Sequence, residues 1–377
     1  MKYACTVVLA CHNKENYLSR CLDSLVKQSR FEEFEIVVVD DHSSDDSPKI
    51  IREYSERHIN ITLVEFAVGS GGPSRPRNVG IDRATTPYVI FADPDDMVVN
   101  DGYSLLLTEM ERRESDILIA AREGVDRYGV QKWVDFIEER PYQNVNNDYV
   151  RQSLLWRPPF ILKTIYSIDL LKSHNIRFLE GISTSEDEIF DMSCLAHAKR
   201  VTKINNIVYR YSCESEGSIT TSVSPKVFEQ LALILPNLDQ TYKMMFDEAT
   251  TVNRINNLLN YYLGRIAFLT EDRFVPKALE DIRSACEILG FDRLRNTDNE
   301  LHALNLSRIE NREFVILAAA MFRRELNSKK SDLKQLSGFG LKHKIYAKAR
   351  SLTIARLLVK RLRGLAVFAK SKVRWRR

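Results

Sequence analysis

Long apolar runs are missing from this 377-residue chain. No stretch of about 18 residues lacks a charge, so none reads as a transmembrane helix. Glycine (14) and proline (11) are scarce, which excludes collagen-like and low-complexity chains. The six cysteines form no CxxC pair and no His-linked metal spacing. That excludes a disulfide framework and a zinc site, and points to a reducing, cytoplasmic compartment. The apolar run 3–11 follows a single Lys and meets no small-residue cleavage site before Asn13. It reads as a first β-strand rather than a signal peptide.

What is present is ordinary for a globular protein: 44% hydrophobic and 28% charged residues. That composition supports a packed core, and the length predicts two domains with an added tail. Charge is unevenly spread. From Leu333 onward there are 14 Lys/Arg and no acid, so all 51 acidic residues precede it. Such a split assigns the tail an anionic partner.

The first 120 residues alternate short apolar runs (6–10, 35–39, 61–66, 88–92, 116–120) with amphipathic stretches (14–28, 48–56, from 75, and 101–113). This alternation predicts an α/β fold with a mostly parallel, doubly wound sheet. Ligands of such sheets bind beyond the carboxyl ends of the strands. The polar clusters 40–45, 69–78 and 93–96 all fall there. From about 145, short helices (150–156, 167–174, 185–198) accompany strand-like 201–204 and 207–211. From about 225 the chain is helical by composition. The boundaries follow: 1–220 the α/β domain, 221–332 a helical domain for acceptor binding or oligomerisation, and 333–377 a basic tail.

Four clusters carry candidate chemistry. Asp93-Pro94-Asp95-Asp96 packs three carboxylates after a buried strand. It reads either as a turn and helix start, or as a site for Mg²⁺ or Mn²⁺ shared with substrate phosphates. Asp41, after Asp40, reads as an Asx turn or as an acceptor for a base N–H. The segment 69–80 reads either as a flexible loop with a solvated Arg, or, since Pro76 suits a first helical turn, as a helix start that would set Arg77 and Asn78 against a phosphate. Ser185 and Glu188 have capping-box spacing. Glu186 and Asp187 are therefore either first-turn acids or a general base on a rigid helix start.

Together these pieces resemble the family 2 glycosyltransferases of the GT-A fold. The matching order is VVLACHNKENYL, VVVDDHSSD, GGPSRPRNVGI, FADPDD and, about 90 residues on, TSEDEIF, covering roughly 4–215. The PSRPRN, FADPDD and SEDEIF variants are most similar to enzymes that glycosylate the poly-ribitol-phosphate of wall teichoic acids. The resemblance implies a UDP-sugar donor and an envelope polysaccharide or polyol-phosphate acceptor. Ala10 (usually Pro in the family), His12 and Asn13 would line the nucleotide pocket, and Asp41 would bind uracil. Arg77 and Asn78 would hold the ribose–diphosphate side. Asp93 and Asp95 would form a DxD pair for Mn²⁺ or Mg²⁺. Asp187 would be the base with Glu186 beside it, and Arg210 and Ser218 would close over the donor. Trp156 to Pro159 falls where acceptor contacts are expected. Gln152 to Trp156 lacks the Arg of the processive synthases' Q-x-x-R-W signature, which with the lack of transmembrane helices favours a non-processive transferase, and the resemblance implies an inverting displacement. A catalytically silent nucleotide-sugar-binding or assembly module at the membrane is the alternative.

In the tail, apolar residues from Leu341 to Val373 recur at steps of 3, 4 or 7 with basic residues mostly off that face. Together with Trp375, 341–375 reads as a helix on an anionic membrane surface, which implies peripheral association with the inner face of the membrane. Packing on the body or on a homo-oligomer partner is the second reading, and direct binding to a polyanionic acceptor the third. No nucleic-acid-binding module is present, and the body is acidic.

Overall fold

The computed structural model describes residues 3–213, except 127, 136–140 and 144–160, and most of 224–310. The tail, Trp156 to Pro159 and Ser218 lie outside the described residues. Two compact units divide near Thr221.

The first unit is built on a ten-stranded sheet. Strands β1 (Cys5–Cys11), β2 (Phe34–Asp40), β3 (Ile61–Glu65) and β4 (Tyr88–Ala92) run parallel in the order β3-β2-β1-β4. Central strands of this kind are covered on both faces, which explains the unbroken apolar run of β1, whose Val7, Val8 and Leu9 are fully buried. Helix α1 (Glu15–Val26) buries Leu18, Cys21, Leu22 and Leu25, one face at helical spacing. Helices α2 (Ser47–Arg57) and α3 (Ser74–Arg83) cover neighbouring strands. α3 lies very close to β1, because a Cβ on Gly80 would stand 2.2 Å from Val8 Cγ1. That approach sets Arg77, one turn earlier, near the strand ends.

Beyond β4 the sheet becomes mixed. β5 (Met97–Val98) and helix α4 (Gly102–Arg113) precede the long β6 (Ile117–Val125), which pairs antiparallel with β7 (Gln131–Val134). After β8 (Pro141–Gln143), strand β9 (Thr164–Ser167) runs antiparallel between β4 and β6. Helices α5 (Ile168–Ser173) and α6 (Glu186–His197) follow, then β10 (Arg200–Ser212), parallel to β6. The two strand-like runs 201–204 and 207–211 are one strand, whose register shifts after Lys203. The exposed pair Asn205-Asn206 forms the irregularity, as expected of a bulge.

The second unit is helical where described: α7 (Lys226–Glu229), α8 (Leu231–Lys243), α9 (Glu248–Arg265), α10 (Val275–Leu289) and α11 (Phe291–Arg295). Asp247 caps α9 by accepting Thr250 N–H at 2.7 Å. Val252, Ile255, Leu259, Tyr262 and Leu263 form its buried face. Among the described residues, no helix is long and apolar enough to cross a membrane.

Candidate active site

The strand order reverses between β1 and β4, and a cleft of about 840 Å³ opens beyond their carboxyl ends. Ala10, Cys11, His12 and Lys14 reach it from the end of β1, Asp41 from β2, and Asp93 to Asp95 from β4. The loop 69–73 with Pro76 and Arg77, and the segment Ser183 to Asp187, complete the rim. Three residues around it hold left-handed backbone conformations: Asn13 (φ 51°), His42 (φ 62°) and Ser185 (φ 60°). Such strain gathers at functional sites.

Arg77 is the hinge of the arrangement. Only 4% exposed, it donates to Asp93 Oδ1 at 3.0 Å and to Glu186 Oε1 at 3.2 Å. Phe178 lies against the guanidinium at 5.3 Å. A buried guanidinium between two carboxylates ties the acidic turn after β4 to the start of α6.

Asp187 follows Glu186 on that helix. Burial and the Glu186 charge push its carboxyl well above the ordinary carboxylate range, although Arg77 opposes the shift. The capping box expected from Ser185 and Glu188 is not built: Ser185 makes no side-chain cap bond to α6. Its left-handed backbone turns the chain so that Glu186 and Asp187 line the cleft.

The acidic turn is already charge-balanced. Lys14 Nζ lies 2.8 Å from Asp95 Oδ2, and Arg77 holds Asp93. Asp96 points away and accepts Ser212 N–H at 2.8 Å; burial and its two acidic neighbours raise its pKa strongly. Among the described residues no protein-only cluster of three metal-ligating side chains exists. The donor set instead suits a hard divalent cation shared between Asp93, Asp95 and substrate phosphates, since both carboxylates are hard oxygen ligands lining the cleft.

At the other end, His12 Nδ1 bonds Asp41 O at 2.9 Å. The Asp41 carboxylate accepts Ser70 N–H at 2.6 Å and the Ser70 hydroxyl at 2.9 Å, which binds the loop 69–73 to the end of β2.

Three expected donor residues lie off the cleft lining. Asn78 faces the segment after α5: its amide donates to Phe178 O at 2.9 Å and Glu180 Oε1 at 3.1 Å, and its oxygen accepts Phe178 N–H at 2.8 Å. The helix-start amide expected to reach phosphate is also used, because Arg77 N–H bonds Pro73 O at 3.0 Å. Asn13 accepts Ser44 N–H at 2.8 Å, a contact between the loops after β1 and β2. Arg210 donates to Glu123 at 2.6 Å. Conversely, Lys14, Arg122, Trp133 and Tyr211 line the cleft although the sequence assigned them no role. Lys14 stands in a helix-start pattern, and the other three meet only through sheet pairing.

Residues 6–163 match the family model of glycosyl transferase family 2. The chain is 31% identical over 238 residues to the poly(ribitol-phosphate) beta-N-acetylglucosaminyltransferase TarS of Staphylococcus aureus, covering 62% of this chain and 40% of that protein. It is 32% identical over 215 residues to a poly(ribitol-phosphate) beta-glucosyltransferase of Bacillus spizizenii, covering 56% of this chain and 32% of that one. It thus spans less than half the length of these curated relatives. The crystal structure of S. aureus TarS 1–349 in complex with UDP-GlcNAc has the same fold, with a TM-score of 0.66 at 24% identity over 82% of this chain and 88% of that one. Residues 6–163 therefore carry the pattern of glycosyl transferase family 2, on the GT-A fold shared with TarS.

Proposed function

We propose that the chain moves a sugar from a UDP-sugar to a hydroxyl of a polyol-phosphate envelope polymer, by a single inverting and non-processive displacement. The observation that carries this reading is Arg77, which ties the acidic turn proposed for the cation to the helix start that carries the proposed base, Asp187. The relatives' poly(ribitol-phosphate) acceptors and the UDP-GlcNAc held by TarS support the substrate classes.

Asp187 removes the acceptor proton as the hydroxyl attacks the anomeric carbon. Its raised pKa makes it a stronger base than an ordinary aspartate once ionised. Arg77 offers fixed positive charge where the diphosphate leaves. Asp93 and Asp95 would hold Mn²⁺ or Mg²⁺, which when bound supplies further charge neutralisation to the leaving group. Lys14 stabilises Asp95 in the absence of that cation. Asp41 and His12, at the cleft ends of β2 and β1, would meet the base.

Outside the described residues, the basic segment 341–375 suits an anionic membrane surface, and this would bring the enzyme to the inner face of the membrane. A chain ending at Asp332 should lose co-sedimentation with anionic vesicles; full retention would remove the tail from this role.

The test of the function is transfer from UDP-GlcNAc and UDP-glucose to a ribitol-phosphate polymer. Wild type should glycosylate the polymer, and Asp187→Asn should fall by about 10²–10⁴ in rate. UDP binding with no transfer from any UDP-sugar would favour the silent nucleotide-sugar module.

A further inference from the structure

On the cleft wall formed by β6, β7 and β10, Gly124 pairs with Trp133 on one side and Tyr211 on the other. The two rings lie 6.1 Å apart across the glycine. A Cβ on Gly124 would stand 2.2 Å from the Trp133 indole, so only glycine lets the indole lie down on the strand. Glycine within a strand weakens it, and close approach is the usual reason for keeping one. Two residues earlier on β6, and hence on the same face, Arg122 places its guanidinium 5.3 Å from the Trp133 ring and 5.8 Å from the Tyr211 ring.

This cluster does not behave as buried core. Trp133 is 37% exposed, and all three side chains line the same cleft as Glu186 and Asp187. A stacked guanidinium keeps its N–H edge for an anion while its face rests on aromatic rings. The charge nearby is also positive. Asp135 is shared between Arg122 (3.5 Å) and the fully buried Lys163, so the three groups carry one net positive charge. The donor end of the cleft is rich in carboxylates, whereas this wall offers an aromatic face and a cation.

We propose that Arg122, Trp133 and Tyr211 form the acceptor platform, binding a polyol-phosphate segment. The phosphate meets the Arg122 edge, and the C–H faces of the polyol lie on Trp133 and Tyr211. This rests on the proposed function for the identity of the acceptor, and not for the existence of the platform. A phosphodiester linked to a polyhydroxylated chain fits both features. A neutral glycan would use the rings and add no ionic contact to the guanidinium.

The experiment is calorimetric titration of the full chain with a synthetic ribitol-phosphate trimer, with free ribitol as the neutral arm and UDP in a parallel titration. The trimer should bind wild type in a salt-sensitive manner, and ribitol should bind far more weakly. Trp133→Ala should weaken the trimer by about tenfold or more, and Arg122→Gln should also flatten the salt dependence. UDP affinity should change by less than about twofold in both variants, because the nucleotide is assigned to Ala10, His12 and Asp41 at the ends of β1 and β2. Gly124→Ala, which lifts the indole, should reproduce the Trp133→Ala loss. Trimer affinity unchanged in both side-chain variants would overturn the proposal, as would a matching fall in UDP affinity or a wild type that binds UDP but not the trimer. Trimer binding that depends on Trp133 in a chain that never binds UDP would instead retain the platform and contradict the donor assignment.

Discussion

Lys14 Nζ stands 2.8 Å from Asp95 Oδ2, so the residue that opens α1 neutralises the acidic turn after β4. Burial works against the ammonium, but the Asp95 and Asp93 charges outweigh it and its pKa rises. A divalent cation at Asp95 must displace this pair. Lys14→Met should therefore tighten Mn²⁺ binding in the absence of nucleotide, by about 1 kcal/mol or roughly fivefold. Calorimetry on the unliganded chain checks this; weaker binding would mean that Lys14 supports the cation site instead of competing for it.

Arg77 makes a larger contribution because it is buried. Arg77→Met strands Asp93 and Glu186 beside each other without their shared cation. The expected loss is about 3–5 kcal/mol in urea unfolding. Arg77→Lys, which lacks the two-pronged fork, should recover only part of it. Unfolding that matches wild type would contradict the bridging role.

Asn78 separates scaffold from ligand contact. Its three hydrogen bonds hold the 178–180 segment against α3. Asn78→Ala should cost about 1–3 kcal/mol of stability and leave UDP affinity near wild type. A fall in UDP affinity at unchanged stability would return Asn78 to the donor site.

The α/β fold and the positions of the clusters were legible because each depends on local pattern. β1, β2 and β4 are apolar runs ended by Asp or by residues that leave the strand, and their order places the carboxyl ends together. Side-chain partners were less legible. Pro76 and the glycines mark a helix start, but nothing local says that Asn78 turns toward Phe178, a residue 100 positions away. β9 is hard to see in the sequence because Thr164–Ser167 has only four residues and no alternation. Arg122, Trp133 and Tyr211 were invisible as a group, since only the pairings of β6 with β7 and β10 bring them together.

The raised pKa of Asp187 sets the pH dependence. Burial raises it most, Glu186, Asp191 and Glu188 add to that, and Arg77 lowers it. A base must be ionised, so kcat/KM should fall as pH drops through a value well above the ordinary ~3.9. The stability sign is opposite. A carboxyl whose folded pKa is raised contributes fully below the ordinary range, and that contribution is lost as pH rises through the folded value. Asp187→Asn should therefore melt higher than wild type near neutrality and match it in acid. An acid limb at the ordinary carboxylate pKa, or a variant that melts lower at neutral pH, would contradict the assignment.

The central claim is that this cleft holds a nucleotide-sugar donor through a cation shared with Asp95. The most direct test is calorimetric titration of UDP with and without Mn²⁺, in wild type and Asp95→Ala. The account predicts UDP binding that Mn²⁺ strengthens in wild type and no longer strengthens in the variant. A folded wild type that fails to bind UDP in either condition would contradict it.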